Sequence, residues 1–93
     1  MKTIWKFAVG IDDRQDIRVP KGAKVLTVQM QDRELCLWAI VETDAATIGV
    51  DMPVWVHGTG HPCAVDEKFG RYVDSVQMHD GQLVFHVFVG KDF

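Results

Sequence analysis

The residues best equipped for chemistry stand in one short run, His57-Gly58-Thr59-Gly60-His61-Pro62. Glycines let the backbone approach a ligand closely and expose amides that can cradle an anion. The threonine adds a hydroxyl, and the histidines add ring donors that are neutral or charged near neutral pH. Lys68 and Arg71 follow closely enough to bring positive charge to the same pocket. The expectation is a ligand-binding loop for a small anion, formed by His57, Gly58, Thr59, Gly60, His61, Lys68 and Arg71. No lysine followed by serine or threonine comes after the glycines, so the run is not a P-loop. The plainer alternative is a turn-rich connection whose glycines only solve backbone geometry.

Other constellations carry less. His57, His61 and Cys63, joined by Asp66, His79 or His86, offer zinc-type donors, but there is no cysteine pair and the spacing fits no structural zinc pattern. Neither a metal nor a cofactor is expected. Cys63 beside His61 or His57 lacks a group to orient the base. Ser75, His86 and Asp74 hold the parts of a hydroxyl nucleophile, yet serine and histidine facing each other across a hairpin are ordinary sheet partners. No reaction is named by these residues, and the expectation is a protein that is not an enzyme.

The elements that position these groups include a sequence written twice. Val25 to Val41 reads VLTVQMQDRELCLWAIV, and Val73 to Val89, forty-eight residues later, reads VDSVQMHDGQLVFHVFV. Seven identities fall in register, among them Val28/Val76, Met30/Met78, Asp32/Asp80 and Leu35/Leu83, and Gly10/Gly58 and Gly22/Gly70 share the offset. The pattern indicates one domain over residues 1–93 with an internal repeat, approximately 4–44 and 52–92.

Each copy reads as a β-hairpin. Alternation puts Leu26, Val28, Met30, Leu35, Leu37, Ala39 and Val41 on one core face. Val25, Thr27, Gln29, Cys36, Trp38 and Ile40 take the other, semi-apolar face, where Trp38, Thr27 and Ile40 are the candidate interface. Asp32-Arg33 is a poor two-residue turn, whereas Asp80-Gly81 is a strong one and should pair Met78 with Leu83, Val76 with Phe85 and Ser75 with His86.

Thr3 to Val9 and Met52 to Gly58 read as strands, with Trp55 at the repeat position of Phe7. Gln15 to Val19 reads as a short strand returning antiparallel to the first, ended by Pro20. The segment ETDAATIGVD reads as a surface loop, and HGTGHPCAVDEKFGR leaves room for one helical turn near Val65 to Phe69. No stretch has a convincing helical period. The fold class is therefore mainly β: six or seven antiparallel strands in two pseudo-repeated units, forming a small sandwich or a partly closed barrel.

A net charge of −3 with ten scattered basic residues argues against general nucleic-acid binding, which relies on clustered lysine and arginine. Cys36 and Cys63 are too few for a disulfide framework and suit a reducing compartment. MKTIWKFAVGIDD lacks a secretory apolar core and no run approaches the roughly 20 apolar residues of a membrane span, so a cytoplasmic location is expected. A chain of 93 residues buries a modest share of its apolar surface alone, which favours a homo-oligomer.

With these pieces read, MKTIWKF, PKGAKVLTVQMQ, LCLWAIV, GTGHP (58–62) and LVFHVF (83–88) together resemble a family of small phage and prophage proteins classed as a domain of unknown function. The resemblance covers most of the chain, while Thr43 to Val50 is more particular to it. It implies a genomic setting and carries over no catalytic residue. In that setting the expected role is sequestration of a small, nucleotide-like host signalling molecule by the 57–61 loop. The alternative is an inhibitor that binds a host protein through a sheet edge or the exposed aromatic face at Trp38. A virion component is a third possibility.

Overall fold

Short runs of β-branched, aromatic and aliphatic residues, punctuated by glycine, proline and aspartate, form seven strands. The computed structural model describes residues 1–44 and 47–93. The strands are β1 (Lys2–Ala8), β2 (Gln15–Pro20), β3 (Lys24–Gln31), β4 (Glu34–Glu42), β5 (Gly49–Gly58), β6 (Gly70–Met78) and β7 (Leu83–Gly90). Among the described residues no helix is long and apolar enough to cross a membrane.

The strands make two antiparallel sheets, one in the order β1-β4-β3 and one in the order β2-β5-β7-β6. They pack face to face as a sandwich, without closing into a barrel. The shortest dimension of the molecule, 16 Å, suits two sheets stacked about 10 Å apart. Between them lie Val28, Leu37 and Val41 from the smaller sheet and Val19, Met52, Val54, Val87 and Val89 from the larger, all nearly inaccessible. Each such side chain contributes about 1.5–3 kcal/mol by leaving water.

The hairpins β3–β4 and β6–β7 share their register: Val28 faces Leu37 and Met30 faces Leu35, while Val76 faces Phe85 and Met78 faces Leu83. The pairs expected around Asp80-Gly81, including Ser75 with His86, are the ones formed. Both hairpins also carry a bulge, at Leu26 in β3 and at Val73 in β6. The first bulge corrects the expected faces. Leu26 is pushed outward and Val25 turns into the core, because one extra residue reverses the alternation behind it.

The outer strands depart from the repeat. Lys6 faces Trp38 in the first unit, so the common offset would set Val54 opposite His86; Val54 instead faces Val89. That slip of three residues is odd, so it exchanges faces: Phe7 packs against the core while Trp55, opposite Phe88, lies on the outer side. β2 is a second correction. It pairs with β5 in the other sheet rather than with β1, Ile17 facing Met52 and Pro20 facing Gly49. The Gly10–Arg14 bend carries the chain across, held by Gly10 N–H donating to Gln15 Oε1 at 3.0 Å and Gln15 Nε2 donating to Gly10 O at 2.7 Å. The expected surface loop ETDAATIGVD is also shorter than read, since β4 runs through Glu42 and β5 starts at Gly49; its residues 45 and 46 lie outside the described residues.

Candidate functional site

His57 sits near the end of β5 on the outer side of the larger sheet, directly opposite His86 of β7. It is only 4% exposed, and neither ring nitrogen has a hydrogen-bond partner among the described residues. The nearest acid is Asp13, whose Oδ1 lies 3.8 Å from Nδ1 and whose side chain is 93% exposed. Asp13 belongs to the Gly10–Arg14 bend, which Val56 N–H holds against β5 by donating to Asp12 O at 3.3 Å.

Beyond Gly58 the chain turns sharply. Gly60 takes a positive φ of 85°, a conformation glycine adopts without steric cost, and the His61 ring folds back over Gly58. The Thr59 hydroxyl and His86 Nε2 are 2.7 Å apart. The amides of Thr59 and His61 already donate within the chain, to Val84 O and Gly58 O. An anion would therefore meet few unengaged N–H groups here.

Of the residues expected in this loop, the structure gathers His57, Gly58, Thr59, Gly60 and His61, and adds His86 and Asp13. Lys68 stands in an exposed turn at Asp66–Gly70, in the place expected for one helical turn, where Phe69 and Gly70 N–H donate to Asp66 O and Lys68 N–H donates to Asp66 Oδ1. Arg71 is turned to the inner side of the sheet beside Val89. It donates to Val25 O and Phe93 O, so it sits on the opposite face from the histidines.

The catalytic arrangements do not assemble. Ser75 faces His86, but His86 Nε2 is engaged with Thr59, and Asp74 Oδ1 accepts from the Ser75 amide. Cys63 is exposed and Cys36 is buried, both as free thiols. Among the described residues no group of three or more His, Cys, Asp or Glu side chains is placed to hold a metal ion.

A second region is the outer face of the β1-β4-β3 sheet. Trp38 faces Thr27 on one side and Lys6 on the other, and Ile40 faces Ile4 and Lys24. The three candidate interface residues thus lie together, joined by Ile4 and the bulged Leu26, which are 56% and 48% exposed. Among the described residues β1 is paired with β4 alone, so its other edge is open.

The third region lies at one end of the sandwich, where the tips of the two hairpins meet. A cleft of about 640 Å³ is lined by Met30, Arg33, Gln77, Met78, His79 and Asp80. A neighbouring hollow of about 380 Å³ shares Arg33 and Met78 with it. Sequence reasoning missed this cleft, though the repeat-matched Met30 and Met78 beside turns were its signal.

Compared with known families, residues 1–93 match the model described as Domain of unknown function (DUF7352). The chain belongs to that family. No curated protein and no solved structure matches it. In this DUF7352 member an apolar face adjoins an open strand edge, and the hairpin-tip cleft brings Arg33 and Asp80 together with Met30 and Met78.

Proposed function

We propose that this DUF7352 member acts by binding another protein rather than by catalysis, through the outer face of β1-β4-β3 and the adjoining β1 edge. The observation that carries the reading is the cluster of Ile4, Leu26, Trp38 and Ile40 on that one face. The two flanking residues are about half exposed. Contiguous apolar surface of this kind beside an open edge is the material of a docking site, the edge supplying main-chain hydrogen bonds and the side chains supplying selectivity. For a chain of phage or prophage type the partner is a host protein in the cytoplasm, and occupation of its surface inhibits it.

The test is affinity capture from host extract with the wild type and with Ile4→Glu and Leu26→Glu, followed by hydrogen exchange on the recovered complex. Both substitutions are at exposed positions and should alter stability by no more than about 0.5 kcal/mol. A stoichiometric partner that is lost with either variant, and that protects β1 and β3, supports the reading. A partner retained by both variants, or protection elsewhere, overturns it. A dimer in native mass spectrometry that these variants disperse would assign the face to a second copy of the chain.

A second reading, sequestration of a small nucleotide-like anion at residues 57–61, is favoured by His57, whose buried ring nitrogens have no partner among the described residues. Calorimetric titration with nucleotides, repeated on Thr59→Ala and His61→Ala, tests it; heat that neither substitution changes counts against the loop.

A further inference from the structure

We propose that the cleft between the two hairpin tips is a small-molecule site for an amphipathic anion, a flat apolar ring carrying one phosphate, sulfonate or carboxylate group. It is separate from the docking face and stands whether or not that face binds a protein. Three independent features of the cleft converge on this ligand.

The first is backbone conformation. Among the described residues the non-glycine positions with positive φ are Asp32 (49°), Arg33 (69°), His79 (52°) and Asp80 (56°), all in these two turns. A two-residue hairpin turn demands left-handed geometry at both central positions, and an arginine there costs free energy that glycine would avoid. The repeat sharpens the point. The position that matches Arg33 in the second hairpin is Gly81, at φ 84°, so at that one position the sister turn uses the residue that avoids the strain. The first turn keeps an arginine there, and that arginine lines the cleft.

The second feature is charge. Arg33 is exposed and, among the described residues, has no carboxylate within 4.0 Å; the lysine, arginine and N-terminal ion pairs formed involve Met1, Arg14 and Arg18. A planar guanidinium with unused donors matches a phosphate, sulfonate or carboxylate. Asp80 on the facing turn disfavours a second anionic group, which confines the ligand's charge to the Arg33 side.

The third is the wall. Met30 and Met78 occupy matching positions of the two hairpins and both line the cleft. Thioethers adapt to flat ligands and make favourable sulfur–aromatic contacts at ring edges. Gln77 and His79 add hydrogen-bonding groups, and the adjoining hollow adds Val9, Ile11 and Leu35 with the carboxylate of Glu34 beside them. A volume of about 640 Å³ lies within the usual span for small ligands, about 300–1,000 Å³.

The experiment is an NMR titration of the full chain carrying ¹³C-methyl methionine, with naphthalene-2-sulfonate as the anionic probe and naphthalene-2-methanol as its neutral match. Saturable shifts of the Met30 and Met78 methyls, with the buried Met52 methyl unmoved, are expected for the sulfonate. Its affinity should exceed that of the alcohol by about tenfold or more, the scale of a charge-assisted contact. Arg33→Gly should lower sulfonate affinity to that of the alcohol while leaving the melting temperature unchanged or raised, so that loss of binding is not loss of fold. Equal affinity for the two probes, wild-type binding by Arg33→Gly, or shifts that bypass Met30 and Met78 would each overturn the proposal.

Discussion

The Arg71 guanidinium on β6 donates to the main-chain oxygen of Val25 on β3 at 3.0 Å. These strands are outer members of different sheets and share no ladder, so the bond ties the sandwich along an edge that backbone pairing leaves open. The same side chain donates to Phe93 O through Nη2 at 2.7 Å and Nε at 3.2 Å, and Lys24 Nζ adds a bond to Asp92 O at 2.8 Å. Arg71→Met keeps the stem and removes every donor, leaving acceptors that are partly withdrawn from water. A loss of about 1–3 kcal/mol is expected from a urea midpoint. Arg71→Lys should recover less than half of it, because a single ammonium cannot reach both oxygens with a fork's geometry. Unchanged stability in Arg71→Met would show that the clamp is idle.

Arg33→Gly should stabilise the protein. Relief of left-handed geometry at φ 69° is worth about 1–2 kcal/mol, against about 0.5–1 kcal/mol for the extra freedom of glycine in the unfolded chain. The net gain is about 0.5–1 kcal/mol, which calorimetry would read as a rise of a few degrees in melting temperature. A fall would mean that the arginine stem packs in a way that outweighs its backbone strain.

Much of the fold was legible because the relevant signals are local. Alternation together with Asp80-Gly81 was sufficient to pair Val76 with Phe85 and Ser75 with His86, since a turn fixes the register of the strands on either side of it. The partner of β2 was not legible. A short alternating strand such as Gln15–Pro20 carries no information about which sheet receives it. Nor was the bulge at Leu26, which depends on how β3 bends around the core and not on any residue type at that position. For the same reason the expected site came apart at Arg71: closeness in sequence to the glycine loop says nothing about which face of β6 a side chain takes. The hairpin-tip cleft was hidden in another way, because it forms between two turns forty-eight residues apart that meet only after the sheets have packed.

Gly70→Ala should loosen the segment that covers Trp55. A Cβ at Gly70 would come within 2.6 Å of Val65 Cγ1 and 3.1 Å of the Trp55 ring. The ring is buried and cannot retreat, so Val65 and its neighbours must lift. The cost should be about 1–3 kcal/mol, as for overpacking elsewhere. Amide exchange in residues 61–69 should quicken more than in β7, and exchange unchanged in that segment would mean that it does not rest on the sheet.

His57→Phe should be neutral or stabilising, against the usual outcome for a buried position. A buried polar group without a partner costs about 1–3 kcal/mol, and an apolar ring of similar shape removes that cost. A gain of about 1 kcal/mol is expected in urea unfolding at neutral pH. Asp13→Ala should change stability by less than about 0.5 kcal/mol, because its carboxylate is exposed and, at 3.8 Å, too distant for a hydrogen bond. If His57→Phe instead costs more than about 2 kcal/mol, the ring nitrogens have a partner in solution. Asp13 rotating inward is the nearest one, and a double-mutant cycle between the two positions would then return a coupling energy well above zero.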